Sequence, residues 1–160
     1  MDGGGHERGM RSGTLNVPGI VGFGKACVLC AEEMETDRQR IQPLRDRLER
    51  ELLAMEGAQV NGSREHRLPQ TTNLSFQGVD GDALLAGLGK NVALSSGSAC
   101  TSASMEPSYV LKGLGLDDDL AHASLRLGLG RFTTPEEVDY AINEIGKTVR
   151  RLLEGAGARE

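Results

Sequence analysis

Residues 95–116 read Ser95-Ser96-Gly97-Ser98-Ala99-Cys100-Thr101-Ser102-Ala103-Ser104-Met105-Glu106-Pro107-Ser108-Tyr109-Val110-Leu111-Lys112-Gly113-Leu114-Gly115-Leu116. The first ten hold almost nothing that a core could bury. Cysteine is usually a buried residue type; here it stands in a glycine- and serine-rich loop, where a thiol can move and react. The thiolate is the reactive form, and exposure with nearby positive charge favours it. The residues alone leave two readings open: a reactive thiol, and an ordinary loop cysteine with no role. In front of the loop, Asn91-Val92-Ala93-Leu94 reads as a short buried strand, Val92 to Leu94 at its centre. Behind it, Glu106-Pro107-Ser108 starts a helix carrying Tyr109, Val110, Leu111 and Leu114. Ser124-Leu125-Arg126-Leu127-Gly128-Leu129-Gly130-Arg131-Phe132 then alternates as a strand does, with Arg126 and Arg131 at polar positions.

Working outward, the last helix announces its start. Thr134 is placed to cap it, Pro135 takes its first position, and Glu137 has capping-box spacing. Val138, Ile142, Ile145, Val149 and Leu152 form its apolar face, and Glu154 to Glu160 read as a frayed tail. Towards the N-terminus, Gln59-Val60 and Thr72 to Phe76 read as strands, and Gly81 to Leu88 as a helix. Residues 1–14 read as loop. Val17 to about Met55 reads as one long helix, because Ile20, Gly24, Cys27, Ala31 and Met34, then Ile41, Leu44, Leu48, Leu52 and Met55, keep three–four spacing. Pro43 predicts a kink or break near Gln42. Strands alternating with helices predict a small α/β domain with its helices on one sheet face.

The chain has 160 residues, of which 38% are hydrophobic and 26% charged, a size and balance that suit one globular domain. Its net charge is −5, and no basic stripe interleaved with aromatics appears, which disfavours nucleic-acid binding. No apolar run approaches the roughly 18 residues of a membrane span, and no secretory signal pattern opens the chain. Three cysteines without framework spacing point to reduced thiols and a cytoplasmic setting.

Two stretches carry a resemblance. SSGSACTSASMEPSYVLKGLGL (95–116), followed by SLRLGLGRFTTPEEVDYAI (124–142), resembles the C-terminal part of the IscS/NifS-type cysteine desulfurases, which are class-V aminotransferase-like enzymes. GGGHERGMRSGTLNVPGIVGFGKA (3–26) resembles the same enzymes. The similarity runs from Gly3 to about Leu153. It implies the small C-terminal domain of a pyridoxal-phosphate-dependent transferase of fold type I, with the long helix that links it to a large domain. It divides the chain into a glycine-rich cofactor and dimer segment (1–16), a linking helical region (17–56), a small α/β domain (57–153) with the cysteine loop at 95–105, and a tail (154–160).

The resemblance also assigns roles. Cys100 attacks the sulfur of L-cysteine held on pyridoxal phosphate, keeps that sulfur as a persulfide, and leaves L-alanine. The sulfur then passes to an iron–sulfur scaffold or another acceptor protein. Arg126 binds the substrate carboxylate, as a guanidinium does bidentately. Thr14 touches the phosphate of the neighbouring subunit's cofactor in a homodimer, from a segment whose hydroxyl and N–H groups precede a helix. Arg8 and Arg11 line the same entrance, with His6 beside it, and Arg131 either lines the site or holds the strand end. The lysine that anchors the cofactor in this family lies N-terminal to everything matched, so the chain is expected to be a fragment with Met1 an internal start, inactive by itself.

Cys27-Val28-Leu29-Cys30 is a CxxC, a spacing used by redox and metal pairs. It lies in a helical apolar pattern with no further ligands at metal spacing, and core packing is expected for both thiols, with no metal. His66 and His122 are read as structural. Asn61-Gly62-Ser63 matches a glycosylation acceptor but reads as a tight turn. Two rivals to the enzyme remain: a persulfide carrier without lyase chemistry, and a redox domain that uses Cys27 and Cys30 and requires one of them exposed.

Overall fold

The computed structural model describes residues 3–96 and 106–157. The chain forms two compact units, Met1–Asp37 and Arg38–Glu160. In the first unit a glycine-rich segment, with a single 3-10 turn at Glu7–Gly9, enters helix α1 (Val17–Leu53). Of the kink or break expected near Gln42, the break does not occur: the helix continues through Pro43. Proline lacks only its own N–H, and the surrounding turns are fixed by packing, since Ile41, Leu48 and Leu52 are buried on both sides of it.

The second unit contains the later turns of α1 and strands β1 (Ala58–Val60) and β2 (Thr71–Phe76). Helix α2 (Gly81–Leu88), strand β3 (Ser95–Ser96), and the short helices α3 (Tyr109–Gly113) and α4 (Asp118–His122) follow. Strand β4 (Ser124–Gly128) and helix α5 (Pro135–Gly157) complete it. The strands form one sheet in the order β1-β2-β4-β3, and every pair is antiparallel.

The two faces of this sheet differ. Leu74 and Phe76 of β2 and Leu125 and Leu127 of β4 are buried. They share one core with Ile41, Leu48 and Leu52 of α1, Leu84 and Leu88 of α2, and Val138, Ile145 and Val149 of α5. The intervening residues of the same strands are Asn73, Ser75, Ser124 and Arg126, and period-two alternation puts them on the opposite face. The expected α/β architecture, with helices gathered on one sheet face, is the one observed. The caps are read correctly too. The Thr134 hydroxyl accepts from Glu137 N–H at 3.2 Å, and the Glu137 carboxylate accepts from Thr134 N–H at 2.9 Å.

Several expectations need correction. Asn91 to Leu94 forms no strand: the N–H groups of Asn91 and Val92 both bond to Leu88 O at 2.9 Å and close α2 in a turn. The edge strand forms one residue later, at Ser95–Ser96, within what reads as loop. After the undescribed stretch 97–105, the helix starts at Tyr109, and only Leu111 of it is buried; Tyr109, Val110 and Leu114 are exposed. Helix α4 has no apolar periodicity to reveal it, and Asp117 caps it by accepting from Leu120 N–H at 2.8 Å. Strand β4 ends at Gly128 rather than Phe132, and α5 continues through Gly157 where a frayed tail was expected.

A buried ionic cluster ties the loop 61–71 to α1 and β2. Glu49 accepts hydrogen bonds from both terminal nitrogens of Arg67 and, at 2.6 Å, from the Thr72 hydroxyl, while Arg64 stands 3.3 Å away. Beside it the buried Arg45 donates to Asp46 at 2.7 Å and to Leu68 O and Thr71 O, both at 3.3 Å. Burial pushes the Glu49 carboxyl up. The hydrogen bonds from Arg67 and Thr72 and the charges of Arg67 and Arg64 outweigh burial, and its pKa lies below the ordinary carboxylate value.

Candidate functional site

Arg126 lies at the centre of β4, flanked by Asn73 of β2 on one side and Ser95 of β3 on the other. Leu125 and Leu127 anchor the strand in the core, so alternation turns Arg126 to the polar face, where it is exposed. Among the described residues its side chain has no hydrogen bond or ion pair. That is unlike Arg45 and Arg67, which are held by carbonyls and carboxylates.

The rest of this face is a hydrogen-bonded polar row. Asn61 Nδ2 donates to Asn73 Oδ1 and to Ser75 Oγ, both at 2.6 Å. The hydroxyls of Ser75 and Ser124 lie 2.7 Å apart, and Ser124 donates to Leu120 O of α4 at 2.9 Å. Ser75 and Ser124 are fully buried, so their mutual pairing is what makes burial tolerable. The row leaves Arg126 as its one cationic member, beside the strand that leads towards Cys100. Cys100 itself lies outside the described residues.

Arg131 is exposed in the turn after β4. That turn is closed by Gly130 N–H on Thr133 Oγ1 at 2.9 Å and by Thr133 N–H on Gly130 O at 3.2 Å. Arg40 of α1 clamps it by donating to Thr133 O at 2.9 Å and Gly130 O at 3.4 Å. The sequence reading missed Arg40, because its partners lie some ninety residues away along the chain.

In the first unit, Glu7 and Arg8 have φ values of 53° and 56°, in the left-handed region that non-glycine residues rarely occupy. His6 precedes this turn, and its carbonyl accepts from Gly9 N–H at 3.1 Å. Arg11 works inward: it donates to Gly13 O at 2.7 Å and to Glu7 Oε1 at 3.3 Å. Ser12 donates to Gly4 O at 2.6 Å. Thr14 and Arg8 are exposed, and among the described residues neither side chain is hydrogen-bonded. The first donors of α1 are already used. Val17 N–H bonds Leu15 O, Pro18 has none, Gly19 N–H bonds Asn16 Oδ1 at 3.1 Å, and Ile20 N–H bonds Asn16 O. An anion here would therefore meet the Thr14 hydroxyl and the loop rather than the helix terminus. Asn16 was missed as the cap, although an Asn ahead of an apolar residue and a proline signals one.

Cys27 and Cys30, expected to pack in a core, are both exposed. Ile20, Val21, Phe23 and Met34 are exposed as well. The periodicity marks a genuine apolar face, but among its described residues the first unit has no sheet or second long helix to bury it. Among the described residues no three His, Cys, Asp or Glu side chains converge as metal ligands, and no helix is long and apolar enough to cross a membrane.

The family description "Aminotransferase class-V" matches residues 4–141. The chain is 59% identical, over 96% of its length, to "Cysteine desulfurase IscS" of Anaeromyxobacter sp. strain K, of which it covers 38%. It is 55% identical, again over 96% of its length, to the protein of the same name in Actinobacillus succinogenes, with 38% of that protein covered. The chain thus spans well under half the length of these relatives. Among solved structures, the NifS-like protein of Rickettsia africae superposes with a TM-score of 0.81 at 28% identity, over 94% of this chain and 39% of that one. A second NifS-like protein gives 0.78 at 33% identity, over 95% of this chain and 39% of that one.

Proposed function

Because this chain belongs to the class-V aminotransferase family, we propose that it forms the C-terminal part of a pyridoxal-phosphate-dependent cysteine desulfurase. The observation that carries the reading is Arg126: an exposed guanidinium on the polar sheet face, without a partner among the described residues and paired in the sheet with Ser95. Cys100 follows Ser95 by five residues, a tether of at most about 18 Å, which is short enough to serve a substrate held at Arg126.

In this reading Arg126 takes the carboxylate of L-cysteine in a bidentate pair and fixes its orientation. The Cys100 thiolate attacks the substrate sulfur. A sulfur–sulfur bond forms, the carbon–sulfur bond breaks with its electron pair going to the carbon side, and that carbon takes a proton and leaves as L-alanine. Cys100 retains the persulfide, and a second thiolate or a cluster-assembly protein removes its outer sulfur. The residues present fit the cofactor in part. Thr14, exposed and without a side-chain hydrogen bond among the described residues, offers a hydroxyl donor for its phosphate, Arg8 is exposed in the same glycine-rich segment, and the anchoring lysine belongs to a large domain preceding the matched region. When bound, pyridoxal phosphate supplies the electron sink that makes the carbon–sulfur bond labile. The working form is a cytoplasmic homodimer, and the exposed apolar residues Ile20, Val21 and Phe23 accord with association.

The test uses the chain with a low-molecular-weight persulfide donor. The chain is expected to gain one sulfur mass, mapped to the Cys100 peptide and removed by reductant, while Cys100→Ala gains none. Sulfur added instead at Cys27 or Cys30 would overturn the assignment of Cys100. With pyridoxal phosphate and L-cysteine alone, the chain is expected to release no sulfide above the free-cofactor background.

A further inference from the structure

We propose that Asn73 is a positioning residue for Arg126: a one-way chain of hydrogen bonds turns its amide so that N–H donors, and no acceptor, adjoin the guanidinium. The proposal deepens the desulfurase reading and rests on it, since that reading gives Arg126 the substrate carboxylate to bind.

The sheet sets one row of side chains across its polar face. Asn61, directly after β1, bonds through its N–H to Asn73 O at 2.9 Å. Asn73 is the register partner of Arg126, and Arg126 is that of Ser95. Opposed residues on neighbouring strands have Cβ atoms about 4.5–5.5 Å apart, close enough for their side chains to meet. The atom that Asn73 turns towards Arg126 therefore matters. An amide oxygen would accept from the guanidinium and tie it to the sheet. An NH2 group cannot, because arginine carries only donors.

The direction of the chain is set at its far end. Leu120 O is a carbonyl and only accepts, so the Ser124 hydroxyl commits its proton there, at 2.9 Å. Ser75 then has to donate across the 2.7 Å to Ser124. With that proton placed, Ser75 Oγ accepts from Asn61 at 2.6 Å, and the Asn61 atom must be Nδ2. The other Nδ2 proton goes to Asn73, also at 2.6 Å, and the atom there must be Oδ1. Gln59 Nε2, 3.5 Å from Asn61 Oδ1, agrees with this orientation. Turning Asn73 alone would set two NH2 groups against each other. Turning both amides would require a second proton from Ser124, and Ser75 and Ser124 are both 0% exposed, so bulk water does not supply one. Asn73 Oδ1 is thus engaged towards β1, and in the order β1-β2-β4-β3 its diverging Nδ2 is left for the β4 side. Neither Asn73 Nδ2 nor Arg126 has a hydrogen-bond partner among the described residues. The row Asn61, Asn73, Arg126 and Ser95 contains no carboxylate. Adjacent donors do not pair, and the guanidinium stays available to a ligand that only accepts, such as a carboxylate.

The experiment uses the full chain, with nitrogen-15 NMR of its side-chain amides and phenylglyoxal modification of Arg126 followed by peptide mass mapping. In the parent chain the Asn61 amide protons should be protected from exchange with water and those of Asn73 unprotected; the reverse pattern would overturn the proposal. Asn61→Asp replaces the donor by an acceptor. It should draw Asn73 Nδ2 towards itself, turn Asn73 Oδ1 to Arg126, and slow modification of Arg126 at least about tenfold, the effect of one hydrogen bond to a charged group. Asn61→Asp together with Asn73→Ala removes the capturing oxygen and should return the rate to within about twofold of the parent. That reversal separates a relay through Asn73 from the bare charge at position 61. An unchanged rate in Asn61→Asp, or a slow rate that Asn73→Ala does not reverse, would each overturn the proposal. Far-ultraviolet circular dichroism checks that each variant folds, and if one does not, the amide pattern of the parent still decides. No readout here involves cofactor or sulfur. Failure of the relay leaves the sulfur gain at Cys100 unaffected, and absence of that gain leaves these readouts unaffected, so the two failures are told apart.

Discussion

Replacing Glu49 by Gln removes one charge from the buried ionic cluster of the second unit and barely changes its shape. The Glu49 side chain is 2% exposed and that of Arg67 is 16% exposed, so the guanidinium left behind is largely cut off from water. Breaking a buried pair by removing one partner costs about 3–5 kcal/mol. The lower end applies, because the new amide oxygen still accepts one hydrogen bond and Arg67 keeps some solvent. With a urea dependence of about 2 kcal/mol per molar, a loss of about 3 kcal/mol lowers the unfolding midpoint by about 1.5 M. The sign of the pH dependence follows from the direction of the shift. Glu49 is held below its ordinary value of 4.5. Its contribution is fully present above that value and is lost as the pH falls through the lower folded-state value. The gap between parent and variant should therefore be widest near neutrality and should narrow steadily below about pH 4.5. Urea unfolding followed by circular dichroism at several pH values measures both. A midpoint shift under about 0.3 M at pH 7 would refute the reasoning, and so would a gap that does not narrow in acid.

Four further outcomes are expected. Gly81→Ala places a Cβ 2.3 Å from His122 O and 2.6 Å from His122 C, both backbone atoms, and should destabilise the chain by about 2–3 kcal/mol in the same urea assay. Gly113→Ala, in helix α3 with nothing within 4 Å of the added carbon, should instead stabilise by about 0.5 kcal/mol. Arg40→Ala removes both donors that clamp the 130–133 turn and should cost about 1 kcal/mol, with faster amide exchange at Thr133. Arg126→Ala should leave the urea midpoint within about 0.2 M of the parent, since no described partner is lost; a larger fall would mark Arg126 as structural.

What could be read in the sequence was whatever a local code carries. The capping box at Thr134 and Glu137 works over three residues, and both its bonds form as expected. The bounds of α2 and the inward residues of α5 are likewise set by caps and spacing within one helix. Failures begin where the deciding partner is distant. Ser95–Ser96 becomes a strand because β4 offers it an edge, and nothing in Ser-Ser-Gly-Ser announces that. Glu49 and Arg67 lie eighteen residues apart and face each other only once β2 is docked.

The same distinction separates the two kinds of candidate residue. Arg126 was legible twice, from alternation between Leu125 and Leu127 and from the resemblance, and both led to one exposed position. Cys27 and Cys30 were misread because periodicity reports which residues share a face, never whether anything covers it. A stripe at 20, 24, 27, 31 and 34 has the same spacing as the buried one at 41, 48 and 52, yet the first is exposed and the second buried. The difference lies in neighbours that single-helix spacing does not encode. It leaves open to solvent a thiol pair that a core would bury.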